Sequence, residues 1–201
     1  MSLPPFSVTY DYRCPFARIV HDHVVTALRG GAGWDVRFVP FSLTQSHVDE
    51  GQPAVWCDPA RAGDLLAVAA SLVVRDKFGE RFLDVHDAFF TARHDDRLDL
   101  RRDDVVADVL GRCGVDAEAV LAEVRSGWPV DVFRREHEMA VAEHHVFGVP
   151  TIVVGRRAAF VRWMDRPDGD AAVARATVER VVGLIDGVPA LNELKHTTVD
   201  R

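Results

Sequence analysis

The residues best suited to do chemistry are Cys14 and the three that follow it, Pro15, Phe16 and Ala17. A cysteine attacks as its thiolate, so what matters is whether its surroundings favour the anion. Phe6, Val8 and Tyr10 alternate with Ser7 and Thr9, the two-residue period of a half-buried strand, and the run leads straight into Cys14-Pro15. Beyond the proline, Phe16, Ile19, Val20, Val24, Ala27 and Leu28 recur at helical spacing. Proline suits the first helical position, where its missing N–H would be unpaired anyway. Cys14 therefore sits at or beside the N-cap of a helix leaving a strand, where unpaired amides and the helix dipole favour an anion. Arg13 adds to this if its side chain turns inward. The competing reading is an ordinary buried cysteine, one of the most buried residue types.

The 201-residue chain is long enough for one domain, or one domain carrying an insertion, with a substantial core. A net charge of −7 and the lack of a basic run argue against nucleic acid or an anionic membrane as partner. No stretch approaches the roughly 20 apolar residues that span a bilayer. The start, Met1-Ser2-Leu3-Pro4-Pro5, has neither the charged nor the apolar region of a secretion signal. Three widely spaced cysteines make no disulfide framework, so a reducing cytoplasm is expected.

The elements around Cys14 follow from the periodicities. The first helix should stop at Gly30-Gly31, and Trp34, Val36 and Phe38 mark a second strand, completing a right-handed β-α-β unit. The polar stretch from Thr44 to Pro59 reads as a loop. From residue 60 to 147 the pattern is helical throughout, with stripes at Leu65–Val73, Phe82–Phe90, Val105–Leu110, Val120–Val124 and Phe133–His144, and with Asp116 as an N-cap. Strand character returns at Val149-Pro150-Thr151-Ile152-Val153-Val154. Arg156-Arg157 is the expected tight turn into a hairpin partner at Ala158–Val161, and Ala174, Val178, Val182 and Ile185 mark a final helix ending near Gly187.

Strand, Cys-Pro-x-x at a helix start, second strand, helical insertion, then Gly148-Val149-Pro150-Thr151 opening a ββα unit resembles the DsbA-like branch of the thioredoxin superfamily. The likeness runs from Phe6 to Ile185. It implies an α/β, thioredoxin-like fold built from residues 1–59 and 148–201, with 60–147 as an inserted helical domain. It also implies that Cys14 is the nucleophile, that Pro150 is a cis-proline beside the sulfur, and that the Val149 backbone holds an extended substrate by strand-like hydrogen bonds. Arg13, Val149, Pro150 and Thr151 are thus the expected substrate-binding residues, beside the catalytic Cys14, Pro15, Phe16 and Ala17. The tail Asn192-Glu193-Leu194-Lys195 is similar to the ending of relatives linked to mycothiol-dependent reductions.

The chain departs from that family's usual Cys-x-x-Cys at Ala17, which cannot resolve a mixed disulfide from within the motif. Cys57 and Cys113 remain as distant candidates for a resolving thiol. The expected chemistry is monothiol: a small-molecule thiol or disulfide as substrate, a low-molecular-weight thiol (mycothiol or glutathione) as co-substrate, and no tightly bound cofactor. A homodimer is compatible with this. Two alternatives use the same scaffold: an enzyme like the kappa-class glutathione transferases or isomerases, and a non-catalytic thioredoxin-like binding module. The nine histidines, His21-x-His23 among them, match no metal-site spacing, so no metal is expected. They read as surface or core-edge residues, with His144 or His145 near enough to Pro150 to tune Cys14.

Overall fold

The structure, a computed structural model, describes residues 3–199. Strand β1 (Phe6–Tyr10) leads into helix α1 (Pro15–Arg29) and strand β2 (Val36–Pro40). A helical run follows: the single turn α2 (Leu43–Ser46), then α3 (Ala62–Lys77), α4 (Phe82–His94), α5 (Asp103–Arg112), α6 (Ala117–Arg125) and α7 (Trp128–His144). The chain returns to the sheet with β3 (Thr151–Val154) and β4 (Arg157–Phe160), and α8 (Ala171–Gly187) packs back onto it. The four strands lie in the order β2-β1-β3-β4, with β1 parallel to β2 and antiparallel to β3. This is the thioredoxin-like α/β architecture with a helical insertion, and no strand interrupts residues 62–144.

Two local expectations change. Thr44–Pro59 is not a plain loop. Ser42 caps α2 by accepting from the Gln45 amide at 3.1 Å, and short 3-10 turns follow at Val55–Cys57 and Pro59–Arg61. The hairpin turn is made by Gly155-Arg156, with Arg157 already in β4. Gly155 takes φ 58°, a left-handed conformation that costs glycine nothing and arginine a good deal.

The inserted helices share one hydrophobic core with the sheet. The buried set runs from Val8 and Tyr10 on β1 through Val20 and Val24 on α1 to Leu72 on α3, Phe89 on α4 and Phe133 on α7. Side chains of this size contribute about 1.5–3 kcal/mol each when fully buried. Every residue of β3 is buried, as befits an inner strand covered on both faces, whereas the edge strand β4 is largely exposed. The end of α1 is pinned against the start of α8. A Cβ on Gly30 would lie 2.4 Å from that of Ala171, so only glycine permits this approach, and the head of α1 is held from its far end.

Candidate active site

Cys14 occupies the N-cap of α1 with extended backbone angles (φ −87°, ψ 117°), and Pro15 takes the first helical position. Its amide donates to the Asp11 carbonyl at 3.0 Å, a tight turn that carries the chain from strand to helix. The sulfur accepts from the Ala17 amide at 3.4 Å and donates to the Val149 carbonyl at 3.3 Å. Pro15 is exposed and Phe16 half-buried, while Ala17 is fully enclosed.

The Val149–Pro150 peptide is cis, with both residues buried. The loop is held from either side. The paired register of β1 with β3 reaches Val8–Ile152, and the next bond runs from the Thr151 amide to the side-chain oxygen of Thr9, at 2.8 Å. The Thr151 hydroxyl donates to the Gly148 carbonyl at 2.8 Å, and the Pro150 carbonyl accepts from Val161 at 3.0 Å. Thr9, on the polar side of the alternation, is 1% exposed. The sheet is covered on both faces here, so its period does not separate inside from outside.

The electrostatics at the sulfur run against the expectation from the helix start. Burial pushes the Cys14 thiol above the ordinary cysteine value. The amides of Ala17 and Phe16 pull it down, as a helix N-terminus should, but they do not overcome desolvation. The hydrogen bond to the Val149 carbonyl belongs to the protonated thiol, in agreement with that direction.

Arg13 does not turn toward the sulfur. Its guanidinium grips Asp11 through two bonds (Nε–Oδ1 3.2 Å, Nη2–Oδ2 2.9 Å) and lies 3.8 Å from Asp64. Asp11, only 3% exposed, also accepts from the amides of Arg13 and Leu43 at 3.0 Å each. Arg13 thus organises the turn before Cys14 and the entry to α2. The sequence offered no sign of this pairing, because a buried carboxylate so close to an arginine reads as solvated surface.

Four of the nine histidines, His21, His23, His86 and His137, are buried, while the other five lie at the surface or the core edge as expected. The Tyr12 hydroxyl is 2.9 Å from Nδ1 of His86, His86 Nε2 is 2.9 Å from His21 Nδ1, and His21 Nε2 is 3.0 Å from the Thr9 carbonyl. A carbonyl only accepts, so each donor is assigned in turn: His21 Nε2–H to Thr9, His86 Nε2–H to His21, Tyr12 O–H to His86. Both imidazoles are neutral. Burial takes His21 down to about 4 and His86 well below the usual histidine value. The histidine that reaches the Cys14 turn is His94, bonded to the Tyr12 carbonyl at 2.9 Å, while His144 and His145 close α7. Cys57 is exposed and Cys113 half-buried, and both are free thiols.

A family model described as a DSBA-like thioredoxin domain matches residues 7–175. No curated protein matches in sequence. Among solved structures, DsbA of Pseudomonas aeruginosa superposes with a TM-score of 0.54 at 22% identity, over 90% of this chain and 84% of that one. SCO1869 of Streptomyces coelicolor gives 0.63 at 16% identity, over 96% and 94%. The cytosolic disulfide reductase DsbM of Pseudomonas aeruginosa, solved with GSH, gives 0.58 at 16% identity, over 89% and 98%. At these identities the likeness establishes the fold.

Proposed function

This chain belongs to the DSBA-like thioredoxin domain family of thiol–disulfide oxidoreductases, and on that footing we propose a monothiol cycle with Cys14 as sole nucleophile and a low-molecular-weight thiol as reductant. The observation that carries the reading is the setting of one sulfur, 3.4 Å from the first-turn amide of Ala17 and 3.3 Å from the carbonyl of Val149. Amide donors aimed at the sulfur stabilise the charge that develops as the S–H proton leaves. The Val149 backbone offers a strand-like edge to an extended disulfide beside the attacking atom.

In the first step the Cys14 thiolate attacks one sulfur of a disulfide RS–SR′. The Cys14–SR bond forms, the S–S bond breaks, and R′S⁻ leaves and takes up the proton lost by Cys14. Ala17 has no thiol to attack the mixed disulfide, so a small thiol R″SH attacks the R sulfur instead. This releases RS–SR″ and returns Cys14 to the thiol. The net change is RS–SR′ + R″SH → R′SH + RS–SR″: R′S leaves reduced, and one R″SH is oxidised into the disulfide with R, which is the small thiol's own disulfide when R and R″ are the same. The cycle needs no tightly bound cofactor, and glutathione or mycothiol is the expected class of reductant. A DsbA-fold relative described as cytosolic and solved with GSH supports both the class of reductant and a cytoplasmic site of action.

A second reading, a non-catalytic thioredoxin-like module, is favoured by one observation, the upward push of burial on the Cys14 thiol. Turnover of a mixed disulfide with glutathione as reductant, in wild type and in Cys14→Ser, separates the two. Turnover lost in the variant supports the enzyme. No turnover in wild type, with Cys14 alkylated no faster than Cys57 or Cys113, leaves the binding module.

A further inference from the structure

Beyond β4, the segment 161–166 forms a strap across α1, tied down on both sides of one residue. Val161 bonds the Pro150 carbonyl. On the far side, the Trp163 ring meets His23 edge-on at 4.8 Å, and His23 Nε2 donates to the Asp165 carbonyl at 3.0 Å. Arg166 then pairs with Asp22 at 2.5 Å. Between these anchors, Arg162 lays its guanidinium over the ring of Phe16, 4.2 Å from its centroid.

Phe16 belongs to the first turn of α1, so this seat fixes a cation at the mouth of the Cys14 site. Arg162 is exposed and has no ion pair among the described residues. The other charges nearby are already engaged: Asp11 by Arg13, and Arg166 by Asp22. A guanidinium held on an aromatic face keeps its N–H edge free for a carboxylate.

We propose that Arg162 is the docking point for the carboxylate of an anionic small thiol or disulfide approaching the Cys14 sulfur. The inference rests on the reading of Cys14 as the exchanging thiol and narrows its partners to carboxylate-bearing ones. Glutathione and its disulfides have such a group; mycothiol does not.

The test compares alkylation of Cys14 by iodoacetate and by iodoacetamide, two reagents with one chemistry that differ in a carboxylate. Rates come from peptide mapping at one pH and low ionic strength. Taking their ratio cancels any change in the thiolate fraction. Replacing an exposed cation should lower the ratio about fivefold in Arg162→Ala and further in Arg162→Glu, with Arg162→Lys between wild type and Arg162→Ala, because it keeps the charge but not the stacked fork. The wild-type advantage should also shrink as salt is added. An unchanged ratio in Arg162→Ala and Arg162→Glu overturns the proposal. So does an equal loss of both rates, since Arg162 would then act on the sulfur rather than on the reagent. None of this depends on turnover. A ratio that behaves as expected in a protein inactive with every thiol rejects the monothiol cycle and retains the anion dock.

Discussion

The Cys14 sulfur donates to the carbonyl of Val149, 135 positions further along the chain, and that single contact joins the helix start to the loop beside it. It also sets the resting state. To attack, the sulfur must give up its proton, and with it this hydrogen bond, in a site where burial already favours the neutral form.

Thiol-linked turnover should therefore climb with pH rather than lie flat through neutrality. Below the thiol pKa the thiolate fraction rises tenfold per pH unit, so kcat/KM is expected to rise by about that factor between pH 6.5 and 7.5. A pH–rate profile with a neutral glutathione-independent reductant as control checks this. A plateau beginning below pH 7 would mean that the amides of Phe16 and Ala17 outweigh desolvation after all.

Ala17→Cys should convert the chemistry. The Ala17 amide already lies 3.4 Å from the Cys14 sulfur, so a thiol on that residue arises within one helical turn of it. The variant is expected to oxidise a reduced test protein, which wild type cannot do by an intramolecular route. Ala17 is fully buried, and the added sulfur should cost about 1–3 kcal/mol of stability. Thiol trapping with mass spectrometry, together with urea unfolding, reads both effects.

Tyr12→Phe removes the donor at the head of the buried chain and leaves Nδ1 of His86 without a partner. Because that atom is enclosed, the expected cost is about 1–3 kcal/mol. Urea unfolding should record a lower midpoint at unchanged slope. A loss under 0.5 kcal/mol would show that His86 finds another donor.

Acid should unfold the protein through its buried imidazoles. His21 and His137 are held down to about 4 from 6.5 by burial. Between those values the unfolded chain binds a proton at each site and the folded chain does not, so stability rises with pH across that window and falls on acidification. Each residue contributes a slope of up to about 1.4 kcal/mol per pH unit. Chemical denaturation at pH 7, 6 and 5 measures it. His21→Gln should flatten part of the slope.

Much of this molecule was legible from its residues alone. Strand alternation into Cys14-Pro15, helical stripes from residue 60 to 147 and the return of β-branched residues at Thr151–Val154 are local signals, and each element formed near its expected bounds. What lay beyond them was decided by packing. Arg13 borders Cys14 in sequence yet is claimed by Asp11, because a buried carboxylate with amides already pointing at it binds a guanidinium more strongly than a neutral thiol does. Thr9 is polar on an alternating strand yet lies inside, since β1 is covered on both faces and its side chain replaces a ladder bond. His21 and His86, 65 positions apart, become one hydrogen-bonded pair only when α4 is laid against α1. The height of the Cys14 pKa likewise follows from which side chains close over the sulfur. Periodicity records which face of an element meets the core, but desolvation and partner choice depend on what arrives there from distant parts of the chain.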